Sequence, residues 1–368
     1  MKFIFTSYVV TKEFKHPESW LNRIRAYTGI LEALSDKHLV SSIEQIDYEG
    51  ECFKNGVIYY FLRLSCLGRF FPVKLHRFIS FSQPSVVVIQ GLHSPLQVIQ
   101  LRIKLGKKVQ VIAHHHAEKP FTGIKKYLQL WADRYIDAYL FASRDLGMDW
   151  VKKGNLASSK KIHEVMEISS VFHPVDKALA RSITNVSGQS IFLWVGRLNQ
   201  NKDPLTVISA FMQFAAANRS ARLYMIYHTE ELLPQVNELL NAHPSRDAVV
   251  LIGKVPHDDL LYWYNSADFI LSGSHYEGSG TAICEAMSCG CVPIITNIPS
   301  FRMMTDNGRC GILYPPGNQN ALLTALMQTP TMDIQARRTA SLNYFKSNLS
   351  FQAIAHRISE IATQLQLK

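Results

Sequence analysis

The sequence predicts an α/β protein of two doubly wound, Rossmann-like parallel-sheet domains, and three observations predict it. The length of 368 residues corresponds to about two domains of ordinary size, each able to bury its own core. Short apolar runs, such as residues 86–89, alternate with longer stretches of helical periodicity, which is the pattern of repeated βα units. Periodicity lapses and turn residues collect over residues 171–189, which marks a hinge between domains.

In the first half, residues 2–10 read as a strand. Residues 19–34 read as a helix, with Trp20, Ile24, Tyr27, Ile30, Leu31 and Leu34 at helical spacing. Residues 38–46 and 57–62 follow as strands. The segment GRFFPVKLHRFISF, residues 68–81, mixes Arg69, Lys74, His76 and Arg77 with Phe70, Phe71, Leu75, Phe78 and Ile79. It suits a helix covering the sheet, with an amphipathic helix lying in a membrane interface as the alternative. A strand over 86–90 runs into Gly91 and His93, and a helix spans 94–105. The next strand, in VQVIAHHHAEKP, carries His114, His115 and His116 at its carboxyl end. Ligands of open α/β sheets sit outside the carboxyl ends of strands, so these four histidines belong near a ligand. Side chains alternate along a strand, so His114 and His116 share one face and His115 takes the other. A helix over 124–135, a strand over 137–141, a helix capped by Ser143 and a strand over 162–168 complete this half.

In the second half the strands fall at 190–195, 222–227, 248–252, 268–271 and 292–296. Helices lie between them at 204–217, 232–242, 257–266 and 281–289, and a last strong helical pattern runs over 351–365. The stretch SGSHYEGSGTAICEAMSCGCVPIITNIPS, residues 272–300, is a strand end, a glycine-bearing turn and a helix start in succession. Unpaired N–H groups and the dipole at a helix start suit a phosphate, and glycines let it approach. Glu277 and Glu285 stand eight positions apart. On one helix that is ~12 Å, too far to share one scissile bond as a glycosidase acid and base do. They fit two hydroxyl acceptors gripping different parts of one long ligand, such as a nucleotide sugar.

These residues resemble a known family. Glu277-Gly278, Glu285-Ala286-Met287, Cys289-Gly290 and Pro293 resemble the donor-site signature of the retaining glycosyltransferases of family 4 (glycosyl transferases group 1), which have the GT-B fold. VGRLNQNKDP, residues 195–204, resembles that family's basic loop. The resemblance covers residues 190–330 well and the first 170 residues more weakly. It implies two Rossmann-like domains facing a cleft: 1–178 for the acceptor, 179–345 for the nucleotide-sugar donor, and 346–368 as a helix crossing back to the first domain. It implies that Arg197 and Lys202 hold the donor diphosphate, that Glu277 holds sugar hydroxyls and that Glu285 accepts from the ribose. Gly196, Gly278, Ser279, Gly280 and Thr281 would line the donor, with Lys254 near the base. Arg197, Lys202 and Glu277 are the catalytic candidates. Retention of configuration, with the leaving phosphate taking the acceptor's proton, follows from the same resemblance.

No cofactor is expected beyond the nucleotide sugar as substrate. The resemblance implies a metal-independent site, and no carboxylate or cysteine is assigned to a ligand set with the three adjacent histidines. His93, His114, His115 and His116 remain candidates for contact with the sugar or acceptor, with a purely structural role as the alternative. The sequence departs from the family after strand one, where SYVVTKEFKHPESW lacks a common glycine pair. Lys12, Lys15 or His16 are then candidates for the acceptor.

Apolar residues make up 47% and charged residues 18% of the chain, which excludes a disordered protein. No apolar run approaches the ~18 residues of a spanning helix. The start suits a buried strand better than a signal peptide. The six cysteines show no disulfide or zinc spacing, as in a reduced cytoplasmic protein. The net charge of +10 is uneven: residues 1–180 hold 25 Lys and Arg against 16 Asp and Glu, and residues 181–368 hold 14 against 13. Such a bias favours an acidic partner surface, either phosphate-bearing acceptor or anionic lipid, so peripheral contact with the inner face of the cell membrane is a further expectation. No nucleic-acid motif is present.

The function expected is transfer of a hexose from a UDP- or GDP-sugar to a glycan or lipid-linked acceptor in cell-surface polysaccharide synthesis. A nucleotide-sugar epimerase of the same architecture and a non-catalytic glycosyltransferase-like binding protein are the alternatives.

Overall fold

The computed structural model describes residues 1–64, 68 and 70–367. Cys66 and Arg69, which enter the readings above, lie outside the described residues. The chain divides into two compact units, Met1–Ser169 with Phe351–Lys368, and Ser170–Ser350.

The first unit is built on β1 (Lys2–Ser7), β2 (Leu39–Glu44), β3 (Gly50–Lys54), β4 (Val57–Phe61), β5 (Val86–Gln90), β6 (Gln110–His114), β7 (Ala138–Phe141) and β8 (Ile162–Glu164). They form one sheet in the order β3-β4-β2-β1-β5-β6-β7-β8. Its neighbours pair in parallel except β3 with β4, which are antiparallel. Val86 to Ile89 are all fully buried, as expected of a strand covered on both faces. The edge strand β3 is absent from the sequence reading because its pattern is mostly exposed. Its signal is the turn: Asn55 and Gly56 both take positive φ (48° and 82°), the two-residue hairpin geometry that Asn-Gly favours. The expected helix over 19–34 is two helices, Pro17–Arg23 and Arg25–Ser35, interrupted at Ile24, which leaves helical dihedrals. The helix Phe351–Gln366 packs on Arg25–Ser35. The Phe351 ring presses on Gly29 so closely that a Cβ there would lie 2.6 Å from it.

The second unit carries β9 (Ser190–Gly196), β10 (Ala221–Tyr227), β11 (Val249–Gly253), β12 (Phe269–Ser272), β13 (Val292–Thr296) and β14 (Ile312–Tyr314), in the order β11-β10-β9-β12-β13-β14. All are parallel. Phe192 anchors the core, stacked on Phe269 at 4.8 Å and edge-on to Phe211 and Phe214. From β9 the chain goes to β10 on one side, and β12 lies on the other. The carboxyl ends of β9 and β12 therefore flank the topological switch point, where open α/β sheets place their ligands.

The segment 171–189, read as a linker, contains the helix Lys177–Thr184. Asp176 caps it, accepting from the Leu179 amide at 2.8 Å. Asp268 ties it to the sheet through Lys177, Arg181 (3.1 Å) and the Ile191 amide (2.8 Å). Only Ala180 of this helix is buried, so it offers little apolar periodicity to read. Strand β14 and the helices Gln319–Met327 and Ile334–Tyr344 were likewise not anticipated. Among the described residues no helix is long and apolar enough to cross a membrane.

Candidate functional site

In the second unit, two loops leave the switch point and are stitched together. Arg197 follows β9 directly and is exposed. The chain then turns through a short 3-10 segment, Gln200–Lys202, whose Lys202 amide donates to the Asn199 side chain at 3.1 Å. Asp203 has φ 44° and caps the helix Pro204–Ala217 by accepting from the Thr206 amide. The loop after β12 meets this turn through several hydrogen bonds. The His275 amide donates to the Asn201 carbonyl at 2.8 Å, Asn201 Nδ2 donates to the Tyr276 carbonyl at 2.9 Å, and Lys202 Nζ donates to Glu277 Oε1. Gly273 permits the contact, because a Cβ there would lie 2.8 Å from the Asp203 carbonyl oxygen. The Lys202 and Glu277 side chains are 24% and 14% exposed, so the pair is largely shielded from water yet reachable from it.

Glu277 precedes the helix Thr281–Ser288 and does not share it, which removes the single-helix geometry considered for the two glutamates. Gly278, Ser279 and Gly280 are buried, and Thr281 is exposed. Gly280 is the N-cap in left-handed conformation (φ 65°), and a Cβ there would meet the Phe301 ring at 2.6 Å. The first intrahelical bonds come from the amides of Ile283 and Cys284, so those of Thr281 and Ala282 stand ahead of the ladder. Ser300 Oγ donates to the Glu277 carbonyl at 3.2 Å, so the helix Pro299–Met304 supports the loop from behind.

Glu285, 4% exposed, lies one turn further along the helix. His257 Nε2 donates to its Oε1 at 2.8 Å and the Tyr264 hydroxyl to its Oε2 at 2.9 Å. His257 stacks on Phe172 at 5.1 Å. Sequence reasoning missed His257 and Tyr264; both come from the segment before β12, and only the fold brings them to Glu285. Lys254, just past β11, is exposed. Gly196 ends β9, with the Trp194 ring 3.1 Å from where its Cβ would be.

In the first unit the four histidines gather at the carboxyl ends of β5 and β6, around a carboxylate that the sequence reading had not joined to them. Glu118, two residues past the histidine run, corrects that reading. Its Oε1 lies 3.0 Å from His93 Nδ1 and accepts from the Leu92 amide at 2.7 Å, and its Oε2 accepts from the His116 amide at 2.7 Å. Burial opposes its ionisation, but the His93 hydrogen bond, the neighbouring His115 and the two amides outweigh that and hold its carboxyl well below the usual range.

The histidines alternate as expected. His114 and His116 rings lie 5.6 Å apart, while His115 packs on Phe141 at 4.7 Å and near Trp150 at 6.0 Å. His115 Nε2 donates to the Glu118 carbonyl at 2.8 Å. His114 Nε2 and His115 Nδ1 are buried without hydrogen-bond partners. Burial lowers the His114 pKa to about 3 and, with some relief from Glu118, the His116 pKa to about 4; both rings are neutral at pH 7. Only His93 and His116 present surface, at 37% and 33%. His116 also contacts Gln90 Oε1 and lies 3.6 Å from Glu167. Among the described residues no group of three or more His, Cys, Asp or Glu is arranged to hold a metal.

With this geometry in place, comparison with known proteins gives the class. Two parallel-sheet, Rossmann-like units are the GT-B fold: the sucrose-phosphate synthase of Thermosynechococcus elongatus superposes with a TM-score of 0.72 over 99% of both chains at 16% identity. Residues 176–341 match the family described as glycosyl transferases group 1. Among curated proteins, the D-inositol 3-phosphate glycosyltransferase of Thermobispora bispora is 26% identical over 53% of this chain and 48% of its own. The GDP-mannose:cellobiosyl-diphosphopolyprenol alpha-mannosyltransferase of Xanthomonas campestris is 31% identical over 41% of each. The chain thus spans about half or less of the length of these curated relatives.

Proposed function

We propose that the protein is a retaining, metal-independent hexosyltransferase that uses a UDP- or GDP-sugar and acts on a glycan or lipid-linked acceptor in cell-surface polysaccharide synthesis. The observation that carries this reading is the shielded Lys202–Glu277 pair at the switch point of the second sheet, beside the glycine-opened start of Thr281–Ser288. The match of residues 176–341 to a glycosyltransferase family supports it, as does the mannosyl donor in the name of the Xanthomonas relative.

On this reading the second unit, 170–350, binds the donor, and the first contributes acceptor or sugar contacts through His93 and His116. Bond cleavage at the anomeric carbon puts charge on the leaving diphosphate. Arg197 forks two of its oxygens, and Lys202, one of whose protons is already given to Glu277, offers the others. The amides of Thr281 and Ala282 add fixed dipoles. All are in place before reaction, so they favour the charged transition state without reorganising. Glu277 takes a sugar hydroxyl on its second oxygen. Glu285, held by His257 and Tyr264, accepts from the ribose. The acceptor hydroxyl attacks on the face the diphosphate leaves and gives its proton to the departing phosphate oxygen, which retains configuration.

The test is a panel of UDP- and GDP-sugars scored by thermal shift, slow hydrolysis and the anomer released. At least one member should raise the melting temperature and be hydrolysed with retention. Stabilisation by none of them sinks the reading, and an inverted or epimerised product replaces it with another.

A further inference from the structure

The first unit presents a surface that neither proposed substrate uses. The steps from β4 to β5, β5 to β6 and β6 to β7 all run the same way across the sheet, so right-handed crossovers put their helices on one face. These helices are Val73–Phe81, Pro95–Leu105 and Gly123–Ala132, and each packs on the next.

The outward side of Gly123–Ala132 is apolar where an amphipathic helix is polar. Ile124, Tyr127 and Trp131, at spacings of three and four, are 81%, 68% and 46% exposed. On the adjoining helix Pro95–Leu105, Ile103 is 71% exposed; at the next helix of the layer and just before it, Phe70, Phe71, Val73 and Phe81 are 62%, 61%, 53% and 85% exposed. Scattered exposed apolar residues are ordinary, but a ring-bearing stripe with further large apolar side chains on and just before the other helices of the same layer is not.

The charge around this stripe is mostly positive. Residues 70–135 contain ten Lys or Arg and two acids. Of the acids, Asp133 is buried and Glu118 is engaged with His93 and backbone amides. Lys104, Lys107, Lys108, Lys125 and Arg134 are exposed. Acids brought in from outside are spoken for: Glu49 pairs with Lys74 at 2.6 Å, and Asp137 pairs with Arg102.

We infer that this helical face docks on an anionic lipid bilayer, with Ile124, Tyr127 and Trp131 entering the headgroup boundary and the lysines meeting lipid phosphates. Tyr and Trp suit that boundary because an apolar ring ends in a polar group, and lysines near the surface add about 1 kcal/mol each. A protein partner would ask for complementary shape; the mixture of long flexible cations and separate apolar side chains favours a fluid surface. The inference deepens the lipid-linked acceptor reading but stands on this face alone.

The test is co-sedimentation of the full chain with phosphatidylcholine vesicles, with and without phosphatidylglycerol. Binding should require the anionic lipid and weaken with salt. Ile124→Ser/Tyr127→Ser/Trp131→Ser should lower partitioning at least tenfold. Lys104→Gln/Lys107→Gln/Lys108→Gln should lower it on the order of a hundredfold. All six positions are exposed, so both variants should keep their melting temperature and any stabilisation by nucleotide sugar. Lost nucleotide stabilisation in every form, with vesicle binding intact, would count against the transferase reading and leave this one standing. Equal binding to neutral vesicles, undiminished binding of the Ser variant, or a dimer in light scattering that the Ser variant dissolves would each overturn it.

Discussion

At the scale of single residues, the proposed reading has Arg197 and Lys202 divide the work of holding a diphosphate, and their surroundings give the two different costs. Arg197 is exposed, so Arg197→Ala should lower kcat/KM by about 10²–10³ while leaving the melting temperature unchanged. Lys202→Ala should lower kcat/KM as much and also destabilise by about 1–3 kcal/mol, because it strands the Glu277 carboxylate in a site 14% exposed. Steady-state kinetics alongside thermal denaturation checks both; equal melting-temperature losses in the two variants would contradict the division. Glu285 gives the second residue-level prediction. Tyr264→Phe removes one donor from a buried carboxylate and should cost about 1.5–3 kcal/mol in denaturant unfolding, whereas a carboxylate free to recruit water would lose almost nothing. The motif singled out Glu277, Glu285, Arg197 and Lys202 in the sequence as candidates. Their protein partners were not, because His257 and Tyr264 reach Glu285 from 28 and 21 positions away. Glu118 was closer to hand, two residues beyond the histidine run, but its reach back to His93 depends on β5 and β6 lying side by side.

At the scale of elements, the opening of the helix Thr281–Ser288 is the part most sensitive to a single methyl group. Gly280→Ala places a Cβ 2.6 Å from the Phe301 ring and asks an alanine to hold φ 65°. It should destabilise by about 1–3 kcal/mol, or more where Phe301 cannot yield, and should weaken nucleotide-sugar binding further by moving the Thr281 and Ala282 amides. Unfolding curves and a binding titration on the same preparation check it; unchanged affinity would remove this helix start from the site. Elements with a strong pattern, such as β5 and the helix Phe351–Gln366, could be read from sequence because burial on known faces imposes the period. Strand β3, strand β14 and the helix Lys177–Thr184 could not: the first is largely exposed, the second has three residues, and the third buries only Ala180. The Asn55-Gly56 hairpin was a legible signal left unused.

At the scale of the whole molecule, buried neutral histidines set how stability responds to acid. His76, His114 and His116 are lowered, chiefly by burial, to about 4, 3 and 4. The unfolded chain takes up protons near its ordinary histidine pKa of about 6.5, while the folded chain does not. Stability is therefore fully present above about pH 6.5 and falls as pH drops toward 4, with up to one extra proton per such ring bound on unfolding. Glu118, depressed in the folded state, adds a loss in the same direction at lower pH. Melting temperature against pH should fall through this window, and His114→Phe should flatten it; a flat profile in the parent protein would contradict the burial of these rings. The chain's charge bias, +9 in residues 1–180 and +1 in residues 181–368, was plain in the sequence. Which helical face displays it was not, since that depends on three crossovers sharing one hand. The central claim is that the switch point of the second sheet grips the diphosphate of a nucleotide sugar. Calorimetric titration of UDP- and GDP-sugars into the parent protein, Arg197→Ala and Lys202→Ala tests it most directly. The account predicts one site per chain in the parent and affinity weakened about tenfold or more in each variant; no binding by any nucleotide sugar, or equal affinity in all three proteins, would contradict it.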